Sequence, residues 1–354
     1  MNILDSYVSG HVAKGYALIL LVFLALFSFF VFVEEIGKVG KGTYHLLDAV
    51  SYVAMTTPGR MVYLAPFTAL LGSIVALGKL ASTQELVAME AVGISPRRIA
   101  WTVIQVGILF SGLTVVIEEW VAPPLEQKAH IQRSLAISGS HTLQSQNGFW
   151  LRDDLRYIKV GKIRYGEVLE NIDIYQFNPQ GQLLSTTHAQ EAILHTTDQW
   201  MLKDIRQNII TKQKVSVQQL DTLAWDTNIS PEEIHILTLP PETLPPSDLY
   251  YYIEHLKKNG QNYSRQELIF WEKLGRPFAA GVMVFLAIPS VFGPLRGATM
   301  GKRILIGSGL GMAFYLTSQV FGQVGLFWNL HPSGTTLTPI VGTLIASLWL
   351  WRRL

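Results

Sequence analysis

Cysteine is absent from the 354 residues. That excludes disulfides, thiolate metal sites and acylation on sulfur. Charge is scarce as well: Asp, Glu, Lys and Arg make up 15% of the chain, where soluble domains carry about a quarter. A net charge of +2 with no basic-aromatic array gives no reason to expect nucleic acid as a partner. A phosphate loop is missing too. The nearest candidate, Gly72 to Lys79, has five residues between its glycines where that loop needs four, and Leu80 stands where Ser or Thr should meet magnesium. The nine histidines form no metal set, since His188 and His195 have no second His or carboxylate at ligand spacing. There is no G-x-S-x-G either. No catalytic, cofactor-binding or metal-ligating residue is assigned, and ATP with its magnesium would have to be bound by another subunit.

The charge that is present is unevenly placed. None occurs from Gly15 to Val33, Met61 to Gly78, Ile99 to Ile117 or Pro277 to Leu295, nor in the 48 residues from Ile304 to Trp351. About 20 apolar residues cross a bilayer, so the last stretch suits two crossings. Six spans follow, at about 15–33, 61–80, 99–120, 276–295, 304–325 and 337–351, with a turn from Asn329 to Gly334 in the final pair. The first run lacks a small-residue cleavage site and is expected to be retained. Nine Lys and Arg fall in the loops on one side (Lys14, Lys79, Arg97, Arg98, Arg296, Lys302, Arg303, Arg352, Arg353) against Lys38, Lys41 and Arg60 on the other. The positive-inside rule then places both termini in the cytoplasm.

Between spans three and four the pattern changes to alternation at period two, as in Leu155 to Val160 and Ile172 to Phe177, the latter closed by the turn Asn178-Pro179-Gln180-Gly181. Further strands are expected at 188–194, 200–206, 208–212, 214–219 and 223–226, which together read as an antiparallel sandwich or jelly roll. Pro240-Pro241 and Pro245-Pro246 end it, and Ser247 caps a helix leading through Lys273 into span four. The fold class is thus an α-helical polytopic membrane protein, 3 + 3 spans, with an inserted external all-β domain, a sandwich or a jellyroll. Its parts are residues 1–135, with spans one to three; 136–246, the β domain; and 247–354, with a connecting helix and spans four to six.

The loop between spans two and three carries a helix with both ends specified. Ser82 and Glu85 have capping-box spacing, Gly93 suits the left-handed C-terminal position, and Pro96 follows. Leu86, Met89 and Gly93 share one side, an apolar stripe that either docks a cytoplasmic protein or lies on the bilayer interface. Spans empty of carboxylates disfavour proton or sodium coupling, with Glu118-Glu119 placed at the outer interface beside Trp120. Near the outer headgroups lie Lys38, Lys41, His130 and Arg133, with Lys128 beside them and Pro123-Pro124 breaking the helix before the second group. Such cations either pair with phosphates or stay solvated. Gly307 and Gly311 form a G-x-x-x-G packing pair, within the chain or against another subunit.

In order and spacing, several motifs resemble the LptF/LptG (YjgP/YjgQ) family of lipopolysaccharide-export permeases, nearest its LptG branch. They are Gly40-Lys41-Gly42-Thr43-Tyr44, the stretch Leu80 to Gly93, Glu119-Trp120-Val121-Ala122-Pro123, Phe292-Gly293-Pro294-Leu295-Arg296 and Trp349-Leu350-Trp351-Arg352-Arg353. The resemblance implies a non-catalytic subunit of an ABC exporter in a Gram-negative inner membrane, paired with an LptF paralogue on two LptB ATPases. Such an exporter passes lipopolysaccharide to LptC and an LptA bridge through the jellyroll. It further implies that 82–93 is the coupling helix, with Glu85 on the ATPase and Leu86, Met89 and Gly93 beside it. Lys38, Lys41, His130 and Arg133 would lie near the lipid A phosphates. Val31 and His130 stand where family members can carry Lys and Arg, which implies fewer fixed cations here. Two other classes stay open: a secondary transporter, and a non-transporting mechanical or scaffold protein driven by a cytoplasmic ATPase, as in FtsX-like systems.

Overall fold

A computed structural model describes residues 3–138, 142–143, 149–153, 155–164, 168–196, 199–210, 214–226, 240–258, 260–292 and 298–352. Among the described residues, six helices are long and apolar enough to cross a membrane: Ile3–Ile36, Thr57–Ser82, Pro96–Ile137, Ser264–Phe292, Met300–Phe327 and Pro332–Trp351, spans 1 to 6 below. Each contains or overlaps an expected run, and most extend beyond it. An apolar run marks only the part of a helix that lipid covers, while the helix itself continues until its backbone is capped.

Span 2 is the hub. It packs against spans 1, 4 and 5 and is mostly buried within the chain, whereas spans 1 and 5 leave most of their apolar residues open. Glycine makes the closest approach possible: a Cβ on Gly15 would lie 2.6 Å from the Gly72 carbonyl oxygen, and one on Gly72 would lie 2.5 Å from the Tyr16 ring. Beside this crossing the buried Tyr16 and Ser73 hydroxyls share a hydrogen bond of 2.9 Å. The Gly307/Gly311 pair serves the same end inside the chain, since it faces Leu71 and Ile74, and then Phe67, of span 2.

Three helix boundaries differ from expectation. Pro123-Pro124 does not break span 3: a π-helical turn at Ile117–Val121 precedes them, with the Ala122 N–H bonded to the Ile117 carbonyl, and the helix continues to Ser138. The wider turn accommodates rings that would clash with a regular i−4 ladder. Ser247 caps nothing. The helix starts at Pro246, where a missing N–H costs little, and ends at Lys258 before a turn with Gly260 at φ +63, so span 4 begins separately at Ser264. Pro332, expected in a turn, opens span 6 by the same logic after Asn329 turns at φ +52.

The β domain is one antiparallel sheet in the order β1-β3-β4-β5-β6-β7, with β2 also on β3. Its strands are β1 Thr142–Leu143, β2 Phe149–Asp153, β3 Arg156–Arg164, β4 Val168–Phe177, β5 Leu183–Thr196, β6 Gln199–Ile210 and β7 Val215–Asp226. The turn at Asn178 forms as expected, with the Gly181 N–H on the Asn178 carbonyl. A row of unpaired residues, Gly161, Asn171, Gln190, Asp204 and Asp221, crosses the ladder from β3 to β7. Asn171 and Asp204 are left-handed there, at φ +54 and +51, a region these residue types tolerate. The buried positions change parity at this row. Ile172, Ala189 and Ile205 point inward on one side and Leu169, Ala192 and Leu202 on the other, and all join one core with Trp200 and Trp225. In β7 the row falls at Asp221, between the expected strands 214–219 and 223–226, which are one continuous strand; β6 is likewise continuous across the expected break after 206.

Candidate functional site

Two regions hold the residues that the sequence singled out, at opposite ends of span 1. At the first, span 2 runs on through Ser82, whose hydroxyl bonds back to the Lys79 carbonyl, so the expected capping box does not form. Gln84 reverses the chain at φ +62, and a shorter helix, Glu85–Ala91, follows. Its C-terminus is as expected. Gly93 sits at φ +87, with its N–H on the Glu90 carbonyl and the Ile94 N–H on the Met89 carbonyl, which is a Schellman closure.

The stripe of Leu86 and Met89 is not exposed, which corrects the premise drawn from spacing. Leu86 is 5% exposed and Met89 packs beside it on the spans' own core. The outward apolar residues are Val87 and Val92, 51% and 78% exposed. Glu85 does not cap the backbone. Its carboxylate accepts 2.8 Å hydrogen bonds from Tyr7 of span 1 and from Thr83, and these hold its pKa below the ordinary carboxylate value. Arg98, at the start of span 3, reaches Asp5 of span 1 at 3.4 Å. The first two turns of span 1 are therefore tied to both flanks of this short helix.

At the other end of span 1 the structure gathers Lys38, His130 and Arg133 around a residue that the sequence reading missed, Glu35, which is 2% exposed. Its Oε1 accepts from Lys38 Nζ at 2.8 Å and its Oε2 from the Tyr44 hydroxyl at 3.0 Å. Arg133 Nε lies 3.1 Å from the same Oε2 as an ion pair, off the line of a hydrogen bond. Lys38 also bonds Glu34 at 2.8 Å. Partial burial works against the Lys38 charge, but Glu34 and Glu35 outweigh it and hold the ammonium above its usual pKa. Tyr52 organises the rest, with the Arg133 guanidinium 5.1 Å above its ring and His130 edge-on at 5.6 Å. Lys41 and Lys128 are exposed and stand outside this network. The cations are thus gathered, and two carboxylates partly neutralise them.

Nor are the spans empty of carboxylates. Glu118, in the π turn of span 3, is 4% exposed and accepts a 2.8 Å bond from Arg276 of span 4, with Lys273 Nζ at 3.9 Å. Since helices 3 and 4 outrun their apolar stretches, charges at the ends of two runs meet inside the bundle. Glu118 and Arg276 stand 158 residues apart, so their spacing gave no hint of that pairing. The motif Phe292 to Arg296 lies mostly outside the described residues, as does Arg353.

These features define a polytopic membrane protein of six spans with a β domain inserted after the third, a capped helix between spans 2 and 3, and a gathered cationic cluster at the far end of span 1. The family model of the lipopolysaccharide export system permease LptF/LptG matches residues 6–353. The lipopolysaccharide export system permease protein LptG of Haemophilus influenzae is 33% identical over 354 residues, covering 100% of this chain and 99% of that protein. The protein of the same name from Escherichia coli K12 is 32% identical, covering 99% and 98%. The chain belongs to the LptF/LptG family of lipopolysaccharide export permeases.

Proposed function

We propose that the chain is the transmembrane, non-catalytic subunit of an ATP-driven ABC exporter, which extracts lipopolysaccharide from the inner membrane and passes it to a periplasmic bridge. In this reading both termini are cytoplasmic and the β domain, residues 136–246, is a periplasmic jellyroll between the membrane halves 1–135 and 247–354. An LptF paralogue pairs along the open faces of spans 1 and 5. An LptB dimer binds ATP and magnesium, and LptC with the LptA bridge receives the lipid at the jellyroll.

The observation that carries the reading is the rigid link along span 1. Glu85 bonds Tyr7, and Glu35, 28 residues further along the same helix, holds Lys38 and Arg133. At 1.5 Å per residue the two ends are about 42 Å apart, a bilayer's thickness. An ATPase that moves Glu85–Ala91 would therefore move the cationic cluster. Leu86 and Met89 seat the short helix on the chain, Gly93 frees its end, and Val87 and Val92 meet the partner. At the other end Lys38, His130 and Arg133, with Lys41 on the exposed loop, would meet lipid A phosphates when Glu35 yields them.

Purification of the tagged chain from native membranes, followed by mass spectrometry, tests the assembly. A paralogous permease, two ATPase copies and lipopolysaccharide are expected, and a chain without an ATPase or without glycolipid would overturn the reading. Glu85→Arg should abolish export while the protein still folds; normal export would remove the coupling role. The buried Glu118–Arg276 pair favours a proton-coupled transporter instead, and transport without an ATPase would support that reading.

A further inference from the structure

The face of the sheet that points away from the β core is not an ordinary solvated surface. Strand pairing aligns Trp150, Lys159, Asp173, His188 and Arg206 in one row across β2 to β6, and Tyr157, Tyr175, Thr186 and Asn208 in the next. Their sequence neighbours Ile158, Val160, Ile172, Ile174 and Ala189 are buried in the core, so period two turns this set outward. Trp150 is 53% exposed and lies stacked with Tyr175 at 5.9 Å and 28° between planes. Lys159 sits 6.0 Å above the indole. Beside the stack a depression of about 320 Å³ is lined by Asp173, Tyr175, Thr186, His188, Arg206 and Asn208. Within it His188 Nδ1 and Asp173 Oδ1 are 2.6 Å apart, and Asn208 donates to the Thr186 hydroxyl at 3.0 Å. In sequence His188 has no carboxylate nearby; the β4–β5 register supplies one 15 residues away.

Flat aromatic faces next to planar polar side chains suit one ligand class above others. A pyranose ring lays its C–H face on an aromatic ring, and its hydroxyls bond bidentately to Asp, Asn and Arg. Two permanent cations, Lys159 and Arg206, face one carboxylate, Asp173, so the patch favours a sugar bearing carboxylate or phosphate groups. We infer that this outer face of the β domain is a binding site for an acidic oligosaccharide. It is separate from the cationic cluster at the end of span 1 and faces away from the apolar interior of the sheet. The inference rests on the proposed function only for the source of the sugar, since an exported glycolipid would bring its own oligosaccharide past this face. The peptidoglycan strand is the other source with the same chemistry.

The test uses the full-length chain in detergent, probed by saturation-transfer NMR and by titration with three ligands. They are fully deacylated lipopolysaccharide oligosaccharide, a soluble peptidoglycan muropeptide, and neutral maltohexaose. The acidic ligands are expected to bind at least about tenfold more tightly than maltohexaose, the electrostatic part of which falls with salt. Trp150→Ala and Arg206→Ala should each weaken binding by about tenfold, as expected for one stacked ring or one charge-assisted contact. Gln190→Ala, on an exposed position in the unpaired row, serves as the control and should change nothing. Thermal melting separates lost binding from lost folding. Preference for the deacylated oligosaccharide assigns the site to the exported lipid, and preference for the muropeptide assigns it to the cell wall. No binding of either, or binding unaltered by both substitutions, overturns the inference. Because the ligand has no acyl chains and no ATPase is present, these outcomes are independent of whether Glu85→Arg blocks export.

Discussion

Glu35 gives the sharpest stability prediction, because one nearly inaccessible carboxylate serves three partners. Glu35→Ala would leave Lys38 and Arg133 without their shared counter-charge and Tyr44 without its acceptor. Removing one partner of a buried ion pair costs about 3–5 kcal/mol. Here the side chains of Lys38 and Arg133 keep 20% and 26% exposure, so both can recover some hydration, and about 2 kcal/mol is the better figure for the charges. The orphaned Tyr44 hydroxyl, 1% exposed as a residue, adds about 1 kcal/mol. A total near 3 kcal/mol should lower the melting temperature by on the order of 5 °C, toward the small end of the scaling because the chain is long. The assay is tryptophan fluorescence of the purified protein at one fixed scan rate. A double-mutant cycle with Arg133→Gln should then show coupling of about 1 kcal/mol or more, since the second change removes a charge already stranded by the first. Equal melting of wild type and Glu35→Ala, or strict additivity in the cycle, would refute the geometry described for this cluster.

Four further outcomes follow from the same structure. Glu35→Gln keeps the side chain's shape but releases Arg133 and leaves Lys38 with Glu34 alone, so it should tighten binding of lipopolysaccharide measured in detergent, and weaker binding would contradict the arrangement. Gly72→Leu forces a branched chain against the Tyr16 ring and should separate spans 1 and 2, with a cost of about 3 kcal/mol or failure to accumulate in the membrane. Gly93→Ala meets no neighbouring atom but must hold φ +87, which costs about 1–2 kcal/mol locally; it should impair export more than it lowers the melting temperature. The pH dependences run in opposite directions. The Lys38 pKa is raised, so its stabilisation is complete below the ordinary value near 10.4 and is lost only as pH rises through the folded value. The Glu85 pKa is depressed, so its contribution is present above about 4.3 and is lost as pH falls through the folded value. Melting curves should therefore show no transition from either group between pH 6 and 9.

The membrane plan was legible because lipid imposes one long, unambiguous pattern, and the β domain because strands β3 to β6 each bury one face. Gly93 was legible for a similar reason: few residues accept φ +87 at a helix end. What the sequence hid depends on where helices stop. Ser82 has the right spacing for a cap, but span 2 absorbs it and Thr83 and Gln84 make the turn instead. Glu118, just past an apolar run, read as interfacial charge and Glu35, just past another, was passed over, yet each is drawn inward by partners brought from other helices, Arg276 for one and Arg133 for the other. The inward turn of Leu86 and Met89 was equally hidden, since spacing identifies a face but not what covers it.

The central claim is that the Glu85–Ala91 helix presents its Val87 and Val92 side to a cytoplasmic ATPase while Leu86 faces home. Because the chain has no cysteine of its own, single cysteines can be placed without background. Membranes carrying Val87→Cys, Val92→Cys or Leu86→Cys, each with a co-expressed cysteine-scanned ATPase, would be treated with a short bifunctional thiol reagent. Cross-links to the ATPase from positions 87 and 92, and none from 86, are the predicted result. Absence of a cross-link from either exposed position, or equal cross-linking from Leu86→Cys, would contradict the account.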